Sequence, residues 1–441
     1  MEDVTTHRLI DTGIRRGPER AYLVAVEADE QEGMWGAEDS LQELEALATT
    51  AGAAVLGRMI QHLPQPDAQT YLGKGKAQEL VALDQQLQLD VVIFDDELTP
   101  TQQRSLDKML NARVIDRTAL ILDVFAQRAY SHEGRLQVEL AQAEYRLPRL
   151  AGSGTYTRQA GGSLGGGGVG GAIGVRGPGE TRLELDRRRI RSRISALRKE
   201  IEEARSQRAL QRKQRVAQGL PMVAVVGYTN AGKSTLFNAL TEAGVLAEDK
   251  LFATLDPVTR RLLLPNNQEA LLSDTVGFIQ KLPTQLIAAF RATLEEVIEA
   301  DLLLEVVDIS HENAFEQSET VHDILEELGA AAKPRVTALN KIDLLTDPDV
   351  LDPSLYSHAV PISAAEGKGL EELCAEVASV LADTMEQLTV LLPFSRGDLV
   401  ELFHRRGLIA YEEHEDEGTR LMGRLPRSLA GYYSPYIQPP A

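Results

Sequence analysis

GYTNAGKST, residues 227–235, decides how this chain is read. It fits G-x-x-x-x-G-K-[ST], follows the apolar run at 222–226 and precedes the stretch TLFNALTEAG. A strand, a glycine turn and a helix in that order form a phosphate loop. Glycine lets the backbone curl, so main-chain N–H groups of Gly227, Tyr228, Thr229, Asn230, Ala231 and Gly232 can face phosphate oxygens. Lys233 is placed to neutralise β- and γ-phosphates. Ser234 and Thr235 open the helix, with the Ser234 hydroxyl placed for Mg²⁺.

Working outward, DTVGF at 274–278 supplies Asp274, which would support Mg²⁺ through water, and Gly277, whose N–H can meet the γ-phosphate. Upstream, LFATLDPVTR offers Thr254 as a second Mg²⁺ ligand that senses the same phosphate, with Thr259 as a rival. Lys233, Thr254 and Gly277 are the groups expected to act on the reacting phosphate. Loss of that phosphate would release both segments, an order-to-disorder switch. About 107 residues after Lys233 comes NKID, with Asn340, Lys341 and Asp343. A carboxylate at Asp343 accepts hydrogen bonds from N1–H and the exocyclic amine of guanine. Adenine lacks that donor pair and would leave the carboxylate unpaired. ISA, with Ser363 and Ala364, would add a backbone N–H to the guanine oxygen. The substrate read from these residues is GTP.

Two positions need separate comment. Phe278 stands where many GTPases carry a glutamine that orients water, so slow unaided turnover is expected. Asn230 either holds a K⁺ beside the phosphates, together with carbonyls of the 250s loop, or only braces the loop.

The remainder of the chain sets limits. It has 441 residues, 43% hydrophobic and 25% charged, with a net charge of −20. The acidic balance argues against a general nucleic-acid binder, and no DNA partner is expected. No run approaches the ~18 apolar residues of a membrane helix, the N-terminus shows no secretory h-region, and Cys374 is the single cysteine. A cytoplasmic monomer is the expectation. EEHEDE at 412–417 reads as a solvated charge run rather than a metal site.

The fold class expected is α/β. Residues 1–117 form an N-terminal α/β subdomain, with RAYLVAVE and DVVIFDDE as strands and Thr99 or Thr101 capping a helix. Residues 118–219 form an antiparallel helical hairpin with a glycine-rich tip. Its first helix starts near Thr118 and stops at Pro148, with a seam of Leu136, Leu140, Ala143 and Leu147. Its second runs from about Glu180 to Arg215, with Ile190, Ile194, Leu197, Ile201 and Ala204 in line. Residues 220–385 form a P-loop domain, a parallel sheet flanked by helices, and 386–441 a small α+β domain read as β, α, β.

These residues resemble the HflX family of translational GTPases. YLGKGKAQEL, GPGETRLELDRRRI, GYTNAGKSTLFNALT, LFATLDPVTRR, DTVGFIQKLPTQLIAAFRATLEEV and ADLLLEVVDIS carry the resemblance, which spans most of the chain. Phe278 follows the family pattern. The resemblance implies binding to the ribosome, chiefly the large subunit and its rRNA. It also implies separation of stalled ribosomes, often under stress, and hydrolysis stimulated by the ribosome. The competing reading is a nucleotide-gated large-subunit or RNA-binding factor in assembly or silencing with little turnover.

GGSLGGGGVGGAIGVRGPGE, residues 161–180, is not a dinucleotide loop, because no apolar strand precedes it. It is either a passive linker or a bare tip for close approach to RNA. Arg149, Arg158, Arg176 and Arg182 flank it, and 182–215 carries 13 Lys plus Arg against 5 Asp plus Glu. That local +8 offsets repulsion between an acidic chain and RNA.

Overall fold

The structure, a computed structural model, describes residues 17–28, 35–150, 178–217, 219–241, 251, 252, 254, 256–283, 294–345 and 352–438. The chain divides into two compact units, Met1–Ala204 with Pro283–Phe290, and Arg205–Leu282 with Arg291–Ala441.

In the first unit, β1 (Glu19–Ala28), β2 (Ala53–Leu63), β3 (Val91–Phe94) and β4 (Arg113–Asp116) form a wholly parallel sheet in the order β2-β1-β3-β4. Both faces are covered, as parallel strands require. On one face Tyr22, Val24, Val26, Val92, Phe94 and Val114 join the apolar sides of α2 (Lys74–Leu87) and α3 (Pro100–Met109). On the other, α1 (Ala37–Thr50) packs on β1 and β2, and α4 (Arg117–Arg128) packs on α1, β3 and β4. Thr99, not Thr101, caps α3. Its hydroxyl accepts from the Gln102 N–H while the Gln102 side chain accepts from the Thr99 N–H, a reciprocal box worth about 1 kcal/mol.

The helix expected to run unbroken from Thr118 is two helices. α4 ends at Arg128, and α5 (His132–Arg149) restarts after Ala129–Ser131. Each has its own cap. The Asp116 carboxylate accepts from Ala119 N–H, and the Ser131 hydroxyl accepts from Gly134 N–H. Pro148 does not end α5 but lies within its last turn. α6 spans Pro178–Ala217. The two seams meet: Leu136, Leu140, Ala143 and Leu147 pack with Ile190, Ile194, Leu197 and Ile201. Arg193 and Arg198 pair across them with Glu139 and Glu144, at 2.6 and 2.7 Å. Part of the basic character of α6 is therefore spent on α5, while Arg188 and Arg191 stay exposed. Residues 151–177, the glycine stretch, lie outside the described residues.

Arg149, counted above among the arginines facing RNA, has another task. Its side chain is 11% exposed. It lies 3.6 Å over the Tyr145 ring and donates to the Leu98 carbonyl at 2.9 Å and the Asp116 carboxylate at 3.2 Å. The Tyr145 hydroxyl donates to the same carboxylate at 2.8 Å. A nearly dry carboxylate this well bonded holds its arginine firmly.

In the second unit, β5 (Met222–Gly227), β6 (Val258–Leu263), β7 (Glu269–Asp274), β8 (Leu302–Asp308), β9 (Arg335–Asn340) and β10 (Ala359–Pro361) form a sheet of order β10-β9-β8-β5-β7-β6. Five strands are parallel. β6 departs from the expected all-parallel sheet and runs antiparallel to β7 at the edge. α7 (Lys233–Thr241) and α10 (Leu370–Thr384) close one face over Val223, Val225, Leu304 and Ala338. α8 (Glu295–Glu299) and α9 (Ala314–Glu327) lie against β5 and β8.

The tail holds β11 (Glu386–Leu392), α11 (Gly397–Arg406), β12 (Leu408–Glu415), β13 (Gly418–Leu425) and α12 (Arg427–Tyr433). Its antiparallel sheet has the order β11-β13-β12. EEHEDE is thus largely an edge strand, whose exposed glutamates discourage further pairing.

Candidate functional site

The site stands at the carboxyl ends of β5, β7, β8 and β9, where open parallel sheets bind ligands. Two P-loop glycines are required by the backbone. Gly227 has φ +145°, and a Cβ there would lie 2.3 Å from the Val306 carbonyl oxygen. Gly232 has φ +98°, and its Cβ would lie 2.2 Å from the Asn340 amide nitrogen. Asn230 adopts φ +62° and is exposed, a left-handed conformation asparagine tolerates well. Residues 253 and 255, part of the carbonyl set read as K⁺ partners, lie outside the described residues.

Lys233 is 7% exposed and donates to the Tyr228 carbonyl at 2.5 Å. Burial lowers its pKa to about 8, and the charge of Asp274 opposes that shift. Burial raises the pKa of Asp274. Hydrogen bonds from Ser234 and Thr254, and the charge of Lys233, act against it.

The three oxygens read as an Mg²⁺ set converge. Ser234 Oγ donates to Asp274 Oδ2 at 2.8 Å, Thr254 Oγ1 donates to the same atom at 2.8 Å, and the two hydroxyls are 2.9 Å apart. The second carboxylate oxygen, Asp274 Oδ1, is buried with no hydrogen-bond partner among the described residues. Hard oxygen donors with one buried acceptor unspent fit a small divalent cation. Thr259, the rival to Thr254, lies on β6 and bonds Ser273 and Glu296 instead, each at 3.2 Å.

Gly277 lies against the loop, where a Cβ would be 2.9 Å from Lys233 Nζ and 2.9 Å from Thr229 Cγ2. Phe278 is 1% exposed, so its side chain belongs to the core. Thr235, in the first turn of α7, is half-buried.

On the base side, Asn340 is a brace. Its amide donates to the Ala231 carbonyl at 2.8 Å and accepts from Ala364 N–H at 3.0 Å. The N–H of Ala364, one of the ISA main-chain donors from which a contact to the guanine oxygen was expected, is therefore engaged by Asn340. Ser363 is buried and exchanges two main-chain bonds with Lys368, each 3.1 Å. Lys341, at φ +67°, pairs with Asp308 at 2.6 Å. Asp343 sits in the following 3₁₀ turn, exposed. The bracing role of Asn340 and the packing of Phe278 went unread in the sequence, because N-K-x-D and D-x-x-G name ligand contacts and not their supports.

No helix among the described residues is long and apolar enough to cross a membrane. Comparison with known proteins adds the family. A family model described as GTP-binding GTPase N-terminal matches residues 38–126, and one described as GTP-binding GTPase Middle Region matches 128–215. A third, 50S ribosome-binding GTPase, matches 222–341. GTPase HflX of Caldanaerobacter subterraneus subsp. tengcongensis is 46% identical over 412 residues, 93% of this chain and 92% of that protein. GTPase HflX of Escherichia coli K12 is 42% identical over 413 residues, 92% and 94% of the two chains. A crystal structure of a GTP-binding protein from the archaeon Sulfolobus solfataricus with GDP shares 26% identity, covering 83% of this chain and 99% of that one, at a TM-score of 0.41. On the strength of the curated relatives, matched nearly end to end, and of the GTPase family models matched along it, the chain belongs to the HflX family of GTPases, enzymes that hydrolyse GTP to GDP and phosphate.

Proposed function

We propose that this GTPase docks on the ribosome, chiefly the large subunit and its rRNA, in its GTP form. There it separates or rescues stalled ribosomes in the cytoplasm, and hydrolysis stimulated by the ribosome resets it. The observation that carries the reading is the match of residues 222–341 to a family described as 50S ribosome-binding GTPase, in the same chain as the basic helix α6. GTP need only bind the docked form more tightly than the free one to drive the cycle.

Within the site, Lys233 neutralises the β- and γ-phosphates, Gly277 N–H meets the γ-phosphate, and the P-loop N–H groups hold the phosphate oxygens, apart from those of Thr229 and Ala231, which donate to the Phe278 and Tyr228 carbonyls. Asp343 reads guanine, with Asn340 and Lys341 holding its loop in place. Mg²⁺ would be held by Ser234 and Thr254, with Asp274 behind them, and when bound it supplies positive charge to the phosphate oxygens. A K⁺ held at Asn230 would add a second positive charge beside the phosphates. The residues also serve the parked-factor alternative, and turnover separates the two.

Phosphate release, measured with and without isolated large subunits in KCl and in NaCl, tests this. We expect subunits to raise the rate by about 10²-fold or more, the scale of completing a phosphoryl-transfer site in trans, with KCl faster than NaCl. No stimulation favours the parked factor, and equal rates in the two salts remove K⁺ from the site.

A further inference from the structure

The Phe278 segment is fastened to the P-loop by bonds that none of the sequence motifs describes. Pairing of β5 with β7 ends at Val225 and Asp274, and then resumes as a parallel bridge between Tyr228 and Phe278. Phe278 N–H donates to the Gly227 carbonyl at 3.1 Å, and Thr229 N–H donates to the Phe278 carbonyl at 2.7 Å. Thr275 Oγ1 donates to the Val225 carbonyl at 2.6 Å. The fourth bond comes from a side chain: Gln280 N–H donates to the Tyr228 hydroxyl at 2.8 Å. Tyr228 is 4% exposed, so water competes little for that bond.

None of the four bonds uses a phosphate. Gly277 lies between the anchored residues Thr275 and Phe278, its Cβ position 2.9 Å from the Lys233 ammonium. A segment held on both sides of Gly277 cannot swing away without breaking buried main-chain bonds, each costing about 1–3 kcal/mol when its polar groups are left unpaired.

We propose that Tyr228 is a positioning residue for GTP hydrolysis: its hydroxyl, by holding Gln280, completes a clasp that fixes Gly277 against Lys233. Thr254, on the other segment read at the γ-phosphate, makes hydroxyl contacts with Ser234 and Asp274. The clasp also explains why residue 278 need not be glutamine. Its main chain is committed to the P-loop and its side chain to the core, so water must be oriented by other groups. The proposal rests on the placement of Gly277 at the γ-phosphate given above.

Tyr228→Phe keeps the ring and removes only the hydroxyl. We expect kcat for GTP to fall about tenfold, with KM, GDP affinity and Tm close to wild type, because the loss is of geometry at the reacting phosphate. Hydrogen exchange at the Gln280 amide should quicken in the GTP-analogue complex. Wild-type kcat in Tyr228→Phe overturns the proposal, and so does a fall in kcat matched by an equal loss of GDP affinity, which marks general loosening of the loop. Gly277→Ala, measured alongside, separates the two claims. If that variant hydrolyses GTP normally, the γ-phosphate placement has failed. If it is inactive while Tyr228→Phe is normal, only the clasp has failed.

Discussion

Lys233→Ala will lose hydrolysis and weaken GTP binding by about 10²–10³-fold, the largest effect of any single substitution here. The ammonium is buried, fixed by the Tyr228 carbonyl, and faces the position of Gly277. A full charge about 3 Å from a phosphate oxygen, at an effective dielectric near 20, interacts by roughly 5 kcal/mol before desolvation is subtracted. About 3–4 kcal/mol net corresponds to the stated loss. The effect should be larger for GTP than for GDP, because only GTP offers the γ-phosphate. Removing the lysine also leaves Asp274, already pushed towards its neutral form by burial, without its nearest positive charge. Titration with a fluorescent GTP analogue and with the matching GDP analogue checks both points. Equal loss for the two nucleotides would show that Lys233 supports the loop alone and does not meet the γ-phosphate.

Asp343→Asn should weaken GTP binding by about 10²-fold and relax discrimination against other purines. The carboxylate would accept two hydrogen bonds from guanine, where an amide can accept only one. The lost pair leaves a base donor facing a donor, the kind of mismatch that costs 10²-fold or more in a site built for hydrogen bonding. Xanthosine triphosphate carries an oxygen where guanine carries its exocyclic amine, so it should gain affinity for the variant as GTP loses it. The fold tolerates the change, because Asp343 is exposed in its 3₁₀ turn while Asn340 and Lys341 keep their own partners. Competition binding with GTP, ATP and xanthosine triphosphate is the measurement. Unchanged selectivity against ATP would remove Asp343 as the reader of the base.

Where the sequence carried a chemical pattern, it was legible. Ser234, Asp274 and Thr254 were named as one magnesium set, and their oxygens lie within 3 Å of one another. The helical seams were legible because apolar residues at heptad spacing have no use on an exposed face, and they do pack together. Edge strands were not. β2 carries Arg58, Gln61 and His62 and a glycine under the Tyr22 ring, β6 carries Arg260 and Arg261, and β12 is mostly glutamate and histidine beyond Tyr411. Half-exposed strands need no apolar alternation, so their signal is thin. The break between α4 and α5 was hidden because Ala129–Ser131 contains neither glycine nor proline, and only the Ser131 cap marks it. The clasp was beyond reach for a different reason: three of its four bonds are accepted by main-chain carbonyls, and two of those are also donated by the main chain.

The central claim is that GTP, not GDP, puts this chain to work on the ribosome. Gradient sedimentation of intact ribosomes with the protein and a non-hydrolysable GTP analogue tests it most directly. The account predicts that the intact-ribosome peak gives way to subunit peaks with the analogue and stays with GDP, and that a chain lacking residues 161–174 leaves it intact while still hydrolysing GTP unaided. An unchanged peak with the analogue, or the same splitting with GDP, would contradict it.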